Sequence, residues 1–264
     1  MILSHFDFFH AAALVVAGVV AGVMNSIAGG GTLVTFPTLI WIGIPSIAAN
    51  ATSTVALLPA TFGSVVGYRK KIRPIVAWLR LFVPVSLLGG LIGGILLVRT
   101  PSKMFDTLVP FLILFATILF MAQSFFARLS GAMSVGDRLS APSKRWIYGS
   151  VCFQFGVAVY GGYFGAGIGI LMLASLGVLG FQDIHEMNTL KVILGFLINV
   201  VAATYFIISG LIHWPDAVIM TCGAVIGGYS GARVAQQVPQ KKVRMTITAI
   251  GLVISAAMFY RQFS

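Results

Sequence analysis

The chain has 264 residues, 58% of them hydrophobic and only 9% charged, with a formal net charge of +11. A soluble domain carries about 25% charged residues. Six acidic residues cannot wet a body of this size, which excludes a cytosolic globular enzyme, a disordered chain and a disulfide scaffold and leaves a polytopic membrane protein.

A spanning helix takes about 20 mostly apolar residues, so the length allows roughly eight to ten segments and no separate soluble domain. The apolar runs are continuous, not alternating, which predicts an all-α membrane protein rather than a barrel. In chain order they lie at about 10–28, 31–44, 48–68, 74–98 and 103–126. After a polar loop at 127–144 they resume at about 146–163, 166–181, 187–209, 214–235 and 243–262. Met1 to His10 lacks the basic start of a cleaved leader, so the first run is expected to stay as a helix. The runs at 31–44 and 166–181 are short for a full span at 1.5 Å per residue, and each follows a glycine cluster. They are expected to be half-helices or arms of broken hairpins. A bilayer tolerates that geometry only where protein or a cavity covers the backbone.

A shift of 138 residues brings the two halves into register. It lays Gly29 and Gly31 on Gly167 and Gly169, Asn50 on Asn188, and Gly89, Gly90 and Gly93 on Gly227, Gly228 and Gly231. Pro101 and Lys103 fall on Pro239 and Lys241. The chain thus divides into a first five-segment repeat at 1–126, a connecting loop at 127–145 and a second repeat at 146–264. Its cations cluster between runs, at Arg69–Arg73, at Arg128 to Arg145 and at Lys241–Arg244. These loops can share one face, which the positive-inside rule makes cytoplasmic. The same clustering argues against nucleic acid, which needs a continuous basic face. The counterpart of 69–73 is Ile207 to Leu211, which has no Lys or Arg. Five segments per repeat is an odd number, so the repeats are expected to be inverted, with both termini outside the cytoplasm of an inner (plasma) membrane. Inverted repeats mark many secondary transporters, with substrate near the midplane.

Two glycine-rich segments carry the strongest local signal: Asn25 through Gly29, Gly30 and Gly31 to Thr32, and Gly161 to Gly169, including Gly165 and Gly167. Glycine lets a helix break, and a helix restarting after the break points free amides and a positive dipole end back at it. Two such breaks related by inversion suit one anion, whereas small-xxx-small spacing at Gly18/Gly22, Gly63/Gly67 and Gly161/Gly165 suits close helix packing. Asn50, Thr52 and Ser53, within a polar segment ending at Thr54, open the third run opposite Asn188, Thr189 and Lys191. Plain N-caps explain Asn50 and Asn188 taken singly. Four polar residues within five exceed what one cap needs, and they supply oxyanion donors. Lys191, about one turn inside its run, either holds an anion as a point charge or snorkels to the interface. Arg80 is expected to snorkel, and Trp41, Trp78, Trp146 and Trp214 to anchor helix ends. Cys152 and Cys222 lie in apolar runs without metal-ligand spacing and are expected to be small packing residues.

His185-Glu186 starts an H-E-x-x-H pattern, but Thr189 stands where the second histidine belongs. The chain has no phosphate-binding loop and no nucleophile elbow, so neither ATP drive, catalytic residues, a metal nor a cofactor is expected.

The two glycine-rich segments, each followed by a short apolar run and a polar helix start, resemble the sulfite exporter TauE/SafE family. Gly22 to Pro37, Ala49 to Thr54, Gly161 to Gly169 and Asn188-Thr189 carry the resemblance. It implies an inner-membrane permease for sulfite, sulfonates or related small sulfur oxyanions, often outward. Two departures, Ile168 between Gly167 and Gly169 and Lys191 in place of a small polar residue, bear on which anion is taken. The leading expectation is a secondary transporter whose Gly29–Thr32 and Gly165–Gly169 amides surround the anion with Asn50, Thr52, Ser53, Asn188 and Lys191. A channel-like anion pore or an uptake permease for another small organic anion is the alternative. A lipid bilayer is the expected surrounding, and a homo-oligomer is left open.

Overall fold

The computed structural model describes residues 8–27, 30–69, 72–132, 144–178 and 184–234, together with 248–249, 252–253, 255–256 and 258–260. Gly29, Lys70, Lys71, Asp183 and the Lys241–Arg244 cluster lie outside the described residues. The helices are α1 (Phe8–Ile27), α2 (Thr32–Trp41), α3 (Ser46–Tyr68), α4 (Val76–Arg99), α5 (Ser102–Ala132), α6 (Lys144–Tyr163), α7 (Ile168–Val178), α8 (Ile184–Ile208) and α9 (Trp214–Val234). A 3-10 turn, Arg73–Ile75, precedes α4, and the described residues within 248–260 are helical.

Four segments among the described residues are long and apolar enough to cross a membrane: Phe8–Asn25, Arg73–Arg99, Ser102–Leu119 and Glu186–Ile208. The other long helices, α3, α6 and α9, have 23, 20 and 21 residues. Two hydrogen bonds tie these helices to their neighbours: the Gln154 amide donates to Ser86 Oγ at 2.9 Å, and the Thr221 hydroxyl to the Ala56 carbonyl at 3.1 Å. Phe62, Leu88, Ile92, Phe111, Phe153 and Ile226 stand exposed on the outside, which suits lipid and not water.

The two short runs are half-span helices. α2 has 10 residues and α7 has 11, which at 1.5 Å per residue is about 15 Å, half the hydrocarbon thickness of about 30 Å. α2 folds back from α1 and leads through the Gly43 turn (φ 95°) to the start of α3.

Close glycine contacts set the helix directions. A Cβ on Gly18 would strike the Met220 carbonyl and one on Gly22 that of Ala224, so α1 runs parallel to α9 with backbones touching. α6 lies parallel to α4 in the same way, with Gly93 against the Val159 carbonyl and Gly162 against that of Gly90. α3 also runs with α9: the His213 amide donates to Thr52 Oγ1 and Thr221 reaches Ala56. α8 precedes α9 across a short turn and is therefore antiparallel to α3. Consequently α2 and α7 point to opposite ends of the bundle. One end gathers the start of α3, the start of α5 (through a Ser46–Asp106 hydrogen bond) and the turn at 209–213. Ser255 and Phe259 lie beside Pro110 and Phe111 in the same half of α5. The opposite end carries Arg69, Arg73 and Lys144.

α1, α2, α3 and α9 pack as one group and α4, α6, α7 and α8 as another, with α3 against α8 and α5 against α7 between them. Each sequence half therefore lends its fourth helix to the other half. Phe36 of α2 and Phe164 of the second break meet edge to face at 5.3 Å, inside this shared core.

Several expectations change here. α5 continues through 127–132, where Ala127, Arg128 and Leu129 are strong helix formers. Pro45, extended at ψ 142°, starts α3 at Ser46, which puts Asn50 in the second turn and not at a cap. α8 starts at Ile184, so Asn188 is also interior and Lys191 is two turns in. Gly63 and Gly67 have no atom within 4 Å of a built Cβ, so they pack nothing, unlike Gly18 and Gly22. Cys152 and Cys222 are exposed on α6 and α9 rather than packed. Lipid tails are as apolar as a core and do not force such residues inward. Arg80 is exposed, while Trp41 and Trp214 stand exposed at helix ends.

The helix crossings predict that Gly93→Val, which drives a side chain into the Val159 carbonyl, lowers thermal stability by about 3 kcal/mol or prevents folding. Gly63→Ala, in open space, is expected to leave the melting temperature unchanged or slightly raised. Fluorescence-detected melting in detergent measures both.

Candidate functional site

The two helix breaks meet at a cavity of about 100 Å³. The first break contributes Asn25, Gly30 and Thr32, and the second Gly165, Ile168 and Gly169. α3 adds Thr54, Leu57, Thr61 and Ser64, and α8 adds Lys191, Val192, Gly195 and Asn199. α2 and α7 both start here, so the cavity lies at the depth where two half-span helices end.

Much of the broken backbone is already satisfied. Asn25 Oδ1 accepts the Gly31 amide at 2.8 Å, while the Leu33 amide goes to the Gly30 carbonyl and those of Val34 and Thr35 to the Gly31 carbonyl. In the second break Gly165 and Gly167 take φ of 77° and 75°, conformations open to glycine and costly for other residues. The Tyr160 hydroxyl clamps that loop by donating to the Ala166 carbonyl at 2.6 Å, and the Tyr160 carbonyl accepts the amides of Phe164 and Gly165.

Of the residues singled out in the sequence, Asn25, Gly30, Thr32, Gly165, Gly169 and Lys191 line the cavity. Gly31 is buried with its amide on Asn25, and Gly167 lies against Ala116 and Leu119. Asn50, Thr52 and Ser53 are buried and occupied elsewhere. The Asn50 amide donates to the Tyr163 carbonyl at 3.0 Å, Thr52 receives His213, and Ser53 bonds Thr35 at 2.6 Å. Asn50 Oδ1 has no hydrogen-bond partner among the described residues. Asn188 and Thr189 do not line the cavity, and Thr189 is fully buried. The polar helix start reaches the site one turn later than its first residues, because α3 begins before Asn50 and rotates them onto neighbouring helices.

Lys191 lines the cavity together with neutral groups, and no carboxylate is among the lining residues. His213 and Asp216 pair at 2.9 Å away from the cavity, and among the described residues no His/Cys/Asp/Glu group is able to hold a metal. Holding a charge at this depth costs about 2.5–3.5 kcal/mol, so the arrangement favours an incoming anion.

Residues 14–258 match the family model described as sulfite exporter TauE/SafE. The chain belongs to that family. Its relatives agree in length. A probable membrane transporter protein of Haemophilus influenzae is 27% identical over 252 residues, 95% of both chains. The probable membrane transporter protein YfcA of Escherichia coli K12 is 24% identical over 244 residues, 91% of this chain and 86% of its own. The probable membrane transporter protein YunE of Bacillus subtilis is 23% identical over 264 residues, 94% and 96% of the two chains. No solved structure matches this chain. This TauE/SafE member is thus a multi-pass membrane protein of a transporter family, not an enzyme.

Sequence reasoning did not select Thr61, Ser64 or Asn199. A signal existed: Thr61 and Asn199 fall on each other under the 138-residue shift, as do Thr54 and Val192 and also Leu57 and Gly195. The bracing of the second break predicts that Tyr160→Phe, which leaves the Ala166 carbonyl without its donor, lowers unfolding free energy by roughly 1–2 kcal/mol. A thermal melt of the purified protein measures this.

Proposed function

We propose that this protein is a secondary transporter that carries a small sulfur oxyanion, sulfite or an organosulfonate, across the inner membrane by alternating access. The observation that carries this reading is Lys191 lining a cavity at the two helix breaks with no carboxylate among its lining residues. A desolvated anion needs fixed donors and positive charge, and Lys191, Asn25, Asn199 and Thr32 supply them. The family description supports sulfite as the substrate class.

Inverted repeats, residues 1–126 and 146–264 joined by the loop at 127–145, account for the helix arrangement. In support, the α1–α9 contact has its counterpart in α6–α4, and α3–α9 in α8–α4. α2 and α7 point opposite ways, as inversion requires. The units that rock around the anion are the packing groups, α1–α3 with α9 and α4 with α6–α8, rather than the sequence halves. Positive charge at the Arg69 end supports a cytoplasmic placement of that end. The start of α1 and the residues near Phe259 then face outward. Export down an inside-negative potential needs no coupled ion, since each unit charge gains about 2.3 kcal/mol per 100 mV.

In proteoliposomes, Lys191→Ala is expected to cut sulfite counterflow at least tenfold while the melting temperature and elution profile stay at wild-type values. Transport at the wild-type rate would remove Lys191 from the site, and net flux without counterflow would indicate a pore. For orientation, a cysteine at Ser209 in a background lacking Cys152 and Cys222 is expected to react with an impermeant maleimide in intact cells. One at Arg69 is expected to react only after lysis, and the reverse pattern would invert the topology.

A further inference from the structure

The cavity has two chemically different walls. On α1 and α8 it offers donors, beside the Asn199 amide, which can donate or accept. The Lys191 ammonium has donors and no acceptor. Asn25 has already given its carbonyl oxygen to the Gly31 amide, so its NH₂ group is what remains for a ligand. On α3 it accepts. Thr54 donates its hydroxyl proton to the Asn50 carbonyl at 2.9 Å, and Thr61 donates to the Leu57 carbonyl at 3.0 Å. A carbonyl oxygen can only accept, so the one proton of each hydroxyl is spent on its own helix, and lone pairs are left for the cavity. Thr54 and Thr61 are two helical turns apart and both line the cavity.

A fully deprotonated oxyanion satisfies the first wall and meets repulsion at the second. A neutral polyol leaves the ammonium unpaired. A monoanion carrying one O–H satisfies both, with its charged oxygens toward Lys191 and Asn25 and its hydroxyl proton on Thr54 or Thr61. We propose that the site selects small, singly charged oxyanions that bear a hydroxyl proton. Two sources have this chemistry: an acid anion such as hydrogensulfite, and a hydroxyalkyl sulfonate. The inference rests on the reading above that this cavity is the substrate site.

Isethionate and propane-1-sulfonate test it, since they differ by a hydroxyl in place of a methyl group. Calorimetric titration of the purified full-length protein is expected to show isethionate binding about tenfold more tightly, the effect of one added hydrogen bond. In Thr54→Val and Thr61→Val that ratio is expected to fall toward one. In the second arm, sulfite affinity is measured across the pH range in which sulfite takes up its first proton. It is expected to rise with the hydrogensulfite fraction, while propane-1-sulfonate, charged throughout, reports any titration of Lys191, the one titratable lining residue. A preference in the first arm alone identifies the hydroxyalkyl source, and one in the second alone the acid anion; either supports the proposal. Equal binding of the two sulfonates together with pH-independent sulfite binding overturns it and leaves the transporter reading standing. Failure of every anion to bind defeats that reading instead.

Discussion

A backbone that stops being helical inside a bilayer must find partners for its amides and carbonyls, because no water is there to supply them. This protein stops twice, and the rest of the structure answers those two interruptions. Asn25 takes one amide at the first, and Tyr160 spans the second from hydroxyl to carbonyl. Asn50 binds the last carbonyl of α6 from the other helix group, which explains why a buried amide is placed there. The side chains of Asn25, Lys191 and Asn199 line the cavity beside these two held interruptions.

Holding two breaks against each other requires a stiff frame, and glycine supplies it. α1 meets α9, and α4 meets α6, with backbones in contact, where van der Waals packing substitutes for the hydrophobic effect that lipid removes. The exchange of the fourth helix couples the two halves of the chain. A shift of either group then acts on both breaks, since each group holds one break and α3 and α8 both line the cavity.

Electrostatically the site is lopsided. Lys191 occupies the position that matches Ser53 under the repeat, and Ser53 is bound to Thr35 away from the cavity. The charge therefore enters from α8, while α3 contributes hydroxyls already committed to their own helix. The 138-residue shift thus sets a cation on one helix against a hydroxyl on the other, not like against like.

Composition and run length alone establish an all-helical membrane protein, because nothing soluble can be built with six acidic residues in this length. The two short helices were visible too, as apolar runs too brief to cross after glycine clusters, and so was the cost of Lys191. What the sequence could not decide was rotation. Whether Asn50, Thr52 and Ser53 or Thr54, Thr61 and Ser64 face the centre depends on where α3 begins and which way it turns, and Pro45 together with contacts to α6, α9 and α2 settles both. In a helix that is apolar and polar by turns, a step of one residue moves a side chain about 100° around the axis. Only the packed neighbours determine which of these residues meet the cavity.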